Sequence, residues 1–375
     1  MKRTHACAFQ RDGLQRIPKD CQLLVFSFLR LEDVCLVAKL SMRLKHLAYA
    51  LPQWKRFQMQ GLQNQTAISF GWAHGRSIEN LSIQGMRISR ALCNSFSKYT
   101  RLQHLDITTI WKSPSVNDRF VGALMHLPLQ SLKFGPNEIT EKGFLALCRG
   151  LKGTLLTLDF NSRFMRTKGF YYIVHLRKLK SLTLRSCIHL DHTVVPFLCT
   201  LKELSTLQLS FLPRLSAGCL NAIKNSPLKD QIQTLILNGM FLSEEHFRTL
   251  CHFKSLKLLS LCHPQISNQA LSCFKSNNLT VLTLFCSKAL INLDFLRGFP
   301  NLNNICLYRC AVKLTNLLKW ATERKTLHFD TCKLAPVLEN GEVSLSEIIA
   351  ATPLKALSNV SVIQVTKRPY RLIQI

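Results

Sequence analysis

LKSLTLRSCIHLDHTVVPFLCTLKELSTLQL, residues 179–209, carries the same pattern twice: an apolar anchor, two variable residues, a second anchor, one variable residue, a third anchor. The first copy is Leu179, Leu182, Leu184 and the second is Leu204, Leu207, Leu209. Working outward toward the N-terminus, the pattern recurs at Leu155, Leu158, Phe160; Leu129, Leu132, Phe134; Leu102, Leu105, Ile107; and Ile78, Leu81, Ile83. Toward the C-terminus it recurs at Ile232, Leu235, Leu237; Leu256, Leu259, Leu261; Leu279, Leu282, Leu284; and Leu302, Ile305, Leu307. Weaker copies are centred on Leu327 and Val360. Most central anchors lie roughly 22 to 28 residues apart, the length of one strand-plus-helix unit. A unit so short cannot bury its own apolar face, so neighbours must stack into one continuous core.

The segments between anchors have helical spacing. In ITEKGFLALCRGLK, residues Phe144, Leu147, Cys148 and Leu151 share one face, and Phe170, Ile173, Val174 and Phe247, Leu250, Cys251 repeat the spacing. Thr140, Ser243 and Ser267 stand where helix N-caps are expected. The repeats therefore read as a leucine-rich-repeat solenoid of the α/β class, a horseshoe with an inner parallel sheet and outer helices.

Composition narrows the function. The chain has 375 residues, 47% hydrophobic and 19% charged, which argues against disorder. MKRTHACAFQ lacks the apolar run of a signal peptide, and no apolar stretch is long enough to span a bilayer. Fifteen cysteines without such a signal point to a reducing compartment, cytoplasm or nucleus. Cys187, Cys310 and Cys332 each fall five residues after a central anchor, where Asn137 stands in another repeat. Side chains there can hydrogen-bond the backbone as it leaves the strand. No CxxC pair, HExxH, glycine-rich phosphate loop or GxSxG occurs, so no metal, cofactor or catalytic role is expected. The formal net charge of +28 suits a nucleic acid or another polyanion, but the basic residues are dispersed without an arginine-rich run.

Before the repeats, residues 14–57 show no strand signature. Three short helices are expected, at Asp20 to Leu29, Glu32 to Lys39 and Ser41 to Leu51, with Pro18 opening the first and Ser41 capping the third. IPKDCQLLVFSFL, residues 17–29, resembles the opening of an F-box: Ile17-Pro18, Asp20, Val25-Phe26 and Leu29 fill the family spacing without a gap. Asp33-Val34, Leu47-Ala48 and Trp54 match later family positions, whereas Leu44 stands where the family usually has Trp. The repeats resemble the cysteine-containing subclass of F-box leucine-rich proteins, as in Ile139-Thr140-Glu141-Lys142-Gly143-Phe144 and Leu147-Cys148. Together the resemblance covers nearly the whole chain.

That resemblance implies an F-box at 14–57, about twelve repeats at 58–365 and a tail at 366–375. It implies a non-catalytic substrate receptor of an SCF-type ubiquitin ligase. The F-box would dock on a Skp-type adaptor, and through it on a cullin and a RING subunit. By matching position the adaptor-facing residues would be Ile17, Pro18, Leu24, Val25, Phe26, Leu29 and Val34. A basic scaffold binding a polyanion, its F-box vestigial, is the alternative.

Strand alternation locates a second surface. With the anchors in the core, the residues flanking each central anchor face the concave side. In the first six repeats these are mostly polar. In repeats seven to ten they include Ile236, Leu258, Cys262, Val281, Phe285, Cys306 and Tyr308, an apolar set suited to a protein substrate. Phe285 and Tyr308 should lie side by side, with Val281 and Cys306 close by. A fold-back of the tail, Val365 to Ile375, would instead cover the set.

Overall fold

The protein is described by a computed structural model covering residues 16–29, 31–60, 75–84, 88–108, 116–312, 314–324, 327–334, 360–364 and 371–374. The N-terminal decapeptide, residues 365–370 and residue 375 lie outside these. Among the described residues fourteen strands form one sheet, in the order in which they occur in the chain. They are β1 (Arg56–Gln60), β2 (Asn80–Gln84), β3 (His104–Ile107), β4 (Ser131–Asn137), β5 (Thr157–Ser162), β6 (Ser181–Arg185) and β7 (Thr206–Ser210). The rest are β8 (Thr234–Asn238), β9 (Leu258–Cys262), β10 (Val281–Phe285), β11 (Asn304–Cys310), β12 (His328–Leu334), β13 (Val360–Gln364) and β14 (Arg371–Gln374). This is a leucine-rich-repeat solenoid.

Central anchors pair in register from strand to strand: Leu158 with Leu182, Leu182 with Leu207, Leu207 with Leu235, and on to Leu282 with Ile305. Each of these side chains is completely buried. They pack against Phe144, Leu147, Cys148, Ile173, Phe247 and Leu250 from the helical layer in a core that runs from Met59 to Leu327. Val174 is only partly buried, and Cys251, at the end of its helix, is exposed. Glu141–Gly150 has ten residues, but Thr167–Phe170 has four and continues as a 3-10 turn, Tyr171–His175. A unit of this length leaves little chain for the convex side, so tight turns replace full helices.

The cap positions follow expectation. Thr140 and Ser267 accept from the N–H groups of Gly143 (3.3 Å) and Ala270 (3.2 Å). Ser243 donates its own N–H to His246 Nδ1 at 3.1 Å. The residues five beyond an anchor also behave as expected. Asn137 donates to Asn161 O at 2.8 Å, Cys187 Sγ to Arg185 O at 3.4 Å, and Cys310 Sγ to Leu284 O at 3.4 Å. Burial pushes the Cys187 and Cys310 thiols up to about 11, so they serve as neutral donors.

Two sequence expectations need correction. The central register position of β12 is Phe329, which pairs with Ile305, rather than Leu327, which is buried just before the strand. The C-terminal residues expected as a tail include β14, which pairs antiparallel with β13 and extends the sheet edge. The described part of that segment therefore does not lie across the concave face.

Helices α1 (Lys19–Ser27), α2 (Leu31–Leu40) and α3 (Met42–Tyr49) precede the sheet. Ser41 caps α3, accepting from Leu44 N–H at 3.1 Å. Their own core holds Phe26, Val34, Ala38, Leu44, Leu47, Ala48, Leu51 and Trp54. The Trp54 indole N–H donates to Ala48 O, and Phe57 on β1 packs against both this core and the solenoid core.

Candidate protein-binding surfaces

The helical module sorts its apolar residues into two sets. Phe26 (4% exposed) and Val34 (0%) sit in its core, so the expectation that they face a partner is corrected. Helix geometry explains this: Phe26 lies one turn from Gln22, which is also buried and receives the Arg43 guanidinium at 3.0 Å. Leu29 is half-buried against the same core. Ile17, Pro18, Leu24 and Val25 are exposed, as expected. Phe28 (82% exposed), Leu36, Leu40 and Met42 are exposed as well. These four fall outside the family-matched positions. Their signal was available, because each lies off the helical stripe that packs inward.

On the concave face, Ile236, Leu258, Cys262, Val281, Phe285, Cys306 and Tyr308 are all half-buried. Phe285 is paired with Cys262 on one side and Tyr308 on the other. The two rings are 5.7 Å apart at 54°, and the Arg309 guanidinium lies 5.5 Å from the Tyr308 ring. Cys306 pairs with Thr283, the next inward residue along β10, so it adjoins the rings. Val281 does not: it pairs with Leu258 and Asn304, on the far side of Thr283. Ser260 and Thr283 separate Ile236 from Cys306 in the middle row. The apolar set is therefore a ring cluster (Cys262, Phe285, Tyr308, Cys306) plus a separate Leu258–Val281 pair. Burial, followed by the adjacent Cys286, raises the Cys262 thiol above its ordinary range.

Strands β3 to β6 carry a different surface, a ladder of alternating charge. Lys133 is 3.9 Å from Asp106, and Arg185 is 2.9 Å from Asp159. Asp159 is 5% exposed, and burial raises its carboxyl above the usual range despite Arg185 and Lys133, which pull it down. Its Oδ1 has no hydrogen-bond partner. At the N-terminal end, Arg56, Gln58, Asn80, Ser82, His104 and Lys133, with Phe57, Leu81 and Leu105 between them, line a hollow of about 500 Å³.

No group of three metal-binding side chains occurs among the described residues, and no described helix is long and apolar enough to cross a membrane.

No family model and no curated protein matches this sequence. Among solved structures, the chain is similar to the Rad7 and Elc1 complex in yeast at 16% identity, over 84% of this chain and 93% of that one, with a TM-score of 0.48. It is similar to a TLR13–ssRNA13 complex at 18% identity, over 76% of this chain and 39% of that one, TM-score 0.45. A third is the leucine-rich repeat-containing protein LegL7 from Legionella pneumophila, at 14% identity over 80% and 92%, TM-score 0.42.

Proposed function

We propose that this chain is the substrate-recognition subunit of an SCF-type ubiquitin ligase, acting in the cytoplasm or nucleus. Its helical module is an F-box that docks on a Skp-type adaptor and so on a cullin and a RING subunit. The solenoid holds a protein substrate, and the chain itself is non-catalytic. Its contribution is proximity: holding a substrate near the transfer machinery supplies several kcal/mol to a bimolecular step.

The observation that carries this reading is the exposed apolar residues of the module, Leu24, Val25 and Phe28 at the end of α1 and Leu36 and Leu40 on α2, standing beside a complete small core. A module of this size that leaves so much apolar surface bare is built for a partner. The F-box spacing from Ile17 to Leu29 says which kind. Buried Leu44 fills the place of the usual Trp from inside the module, so it does not subtract from the docking face.

Co-purification from cell extract with the adaptor and cullin tests the reading, with Leu24→Asp, Phe28→Asp as the negative control. The second reading, a basic scaffold for polyanions, draws on the +28 charge. Its arm is titration with random duplex DNA across salt, where we expect weak binding that vanishes near physiological ionic strength. Tight binding at that salt without adaptor capture would reverse the ranking.

A further inference from the structure

The rim of the solenoid where the chain leaves β6, β7 and β8 carries a feature that neither the adaptor face nor the concave cluster uses. At the fourth residue past the central anchor, several repeats turn with positive φ: Ser186 (50°), Phe211 (54°), Gly239 (76°), Cys286 (59°) and Arg309 (54°). The turn is imposed by the sheet, because the amides there donate to the end of the next strand. Ser186 N–H reaches Ser210 O at 3.0 Å, Phe211 N–H reaches Asn238 O at 2.9 Å, and Gly239 N–H reaches Cys262 O at 2.8 Å. Glycine meets this demand without cost in one repeat, whereas a bulky side chain is disfavoured by about 1–2 kcal/mol. Phe211 accepts that cost and recovers little by burial, since it is 61% exposed. A residue that is both backbone-strained and solvent-exposed contributes little to folding, which directs attention to binding.

Phe211 forms one wall of a groove of about 540 Å³ with Ile188, Leu212, Pro213, Gly239 and Arg163. Its ring lies over Gly239, where a Cβ would approach to 3.2 Å. The charge around the groove is one-sided. Arg163 lines the groove and Arg214 follows its lining residue Pro213 in the chain; both are exposed, and no ion pair engages either among the described residues. Nearby carboxylates are already committed: Asp159 to Arg185, Asp191 to the Thr193 N–H at 3.0 Å, and Glu244 to Arg248 at 3.5 Å. Glu138 and Glu141 line a separate hollow together with Arg166 and Phe164.

We propose that this rim groove docks an acidic peptide segment of a protein partner, an aliphatic or aromatic side chain seated against Phe211, Ile188 and Leu212, and its carboxylates meeting Arg163 and Arg214. The groove sets one ring, Phe211, beside Ile188, Leu212 and Pro213, a cradle for a single side chain, whereas single-stranded nucleic acid calls for a series of flat stacking platforms along a continuous basic track. The site belongs to the solenoid alone and stands whether or not the helical module docks an adaptor.

The test selects random displayed dodecapeptides on the full-length chain and measures the winners by fluorescence anisotropy against Phe211→Gly and Arg163→Glu. Phe211→Gly relieves the positive φ, so its stability should equal or exceed that of the unaltered protein and loss of binding cannot be blamed on unfolding. The expected winners carry net negative charge and at least one Leu, Ile or Phe, weaken as salt rises, and lose about tenfold or more in affinity in either variant. Winners that are neutral or basic, indifference to Phe211→Gly, or no selected peptide would overturn the proposal. So would a thymidine dodecamer that binds more tightly with the same dependence on Phe211, which would assign the rim to nucleic acid. Adaptor capture, followed on the same preparations, reports on the ligase reading separately.

Discussion

Phe26 and Phe28 are two residues apart at the end of α1 and have opposite surroundings, 4% and 82% exposed. Substituting each with Ala in the full-length chain should therefore separate folding from docking. Phe26→Ala removes a ring from a core made of only a few side chains, and buried Phe→Ala changes cost about 3–5 kcal/mol. That is enough to unfold the helical module while the solenoid, with its own core, remains folded. Phe28→Ala removes almost nothing from the free protein. A ring as exposed as Phe28 could take close to 4 kcal/mol from docking if fully covered, at about 25 cal/mol per Å² of apolar area. Interfaces return only part of such area as affinity, so about 2 kcal/mol, or roughly thirtyfold in Kd, is the expected loss. Titration calorimetry with purified adaptor reads the affinity, and urea melts followed by circular dichroism read the fold. A Phe28→Ala variant with undiminished adaptor affinity, or a Phe26→Ala variant with an intact module, would refute the division of the two faces.

Other consequences are as direct. Replacing Phe285 and Tyr308 with Ala gives up a half-buried pair worth about 0.5–1.5 kcal/mol beyond its area, so the melting temperature should fall far less than for buried Phe160→Ala. Substrate capture should be lost with adaptor binding retained, and an equal thermal penalty for the two variants would make the rings structural. Asp159→Asn removes a carboxylate whose pKa is raised in the fold, so its charged form opposes folding above the unfolded aspartate range, and that cost fades as pH falls. Urea midpoints at pH 7 should accordingly favour the variant or show no loss, and the balance should shift toward the unaltered protein near pH 4; a variant less stable at pH 7 than at pH 4, relative to the unaltered chain, would contradict this. Asn137→Ala leaves Asn161 O and the Ile139 N–H without their side-chain partner and should cost about 1–3 kcal/mol, whereas no change in urea midpoint would show that the bonds are dispensable.

The solenoid was legible because its anchors are the part of the sequence under the strictest period. From Leu81 to Ile305 every central anchor expected in the core is there. Alternation also placed Phe285 beside Tyr308, since strand register transmits position across the sheet. Where the period breaks, spacing alone points to Leu327, whereas Phe329 occupies the register, beside a shift in pairing between Cys306 and Tyr308. Phe26 and Val34 were misplaced because family spacing records which residues recur, not which way a short helix turns them. The rim at Phe211 escaped for a different reason. It follows the strand but precedes the convex turn, where neither a period of two nor one of 3.6 applies, and its conformation is set by hydrogen bonds to the next repeat.

Reconstitution of the full-length chain with purified Skp-type adaptor and cullin, read by size-exclusion chromatography with light scattering, tests the central claim most directly. The account predicts one stable complex with one copy of this chain, abolished by Leu24→Asp, Phe28→Asp while the solenoid keeps its circular dichroism. A folded, unaltered chain that elutes apart from the adaptor would contradict it.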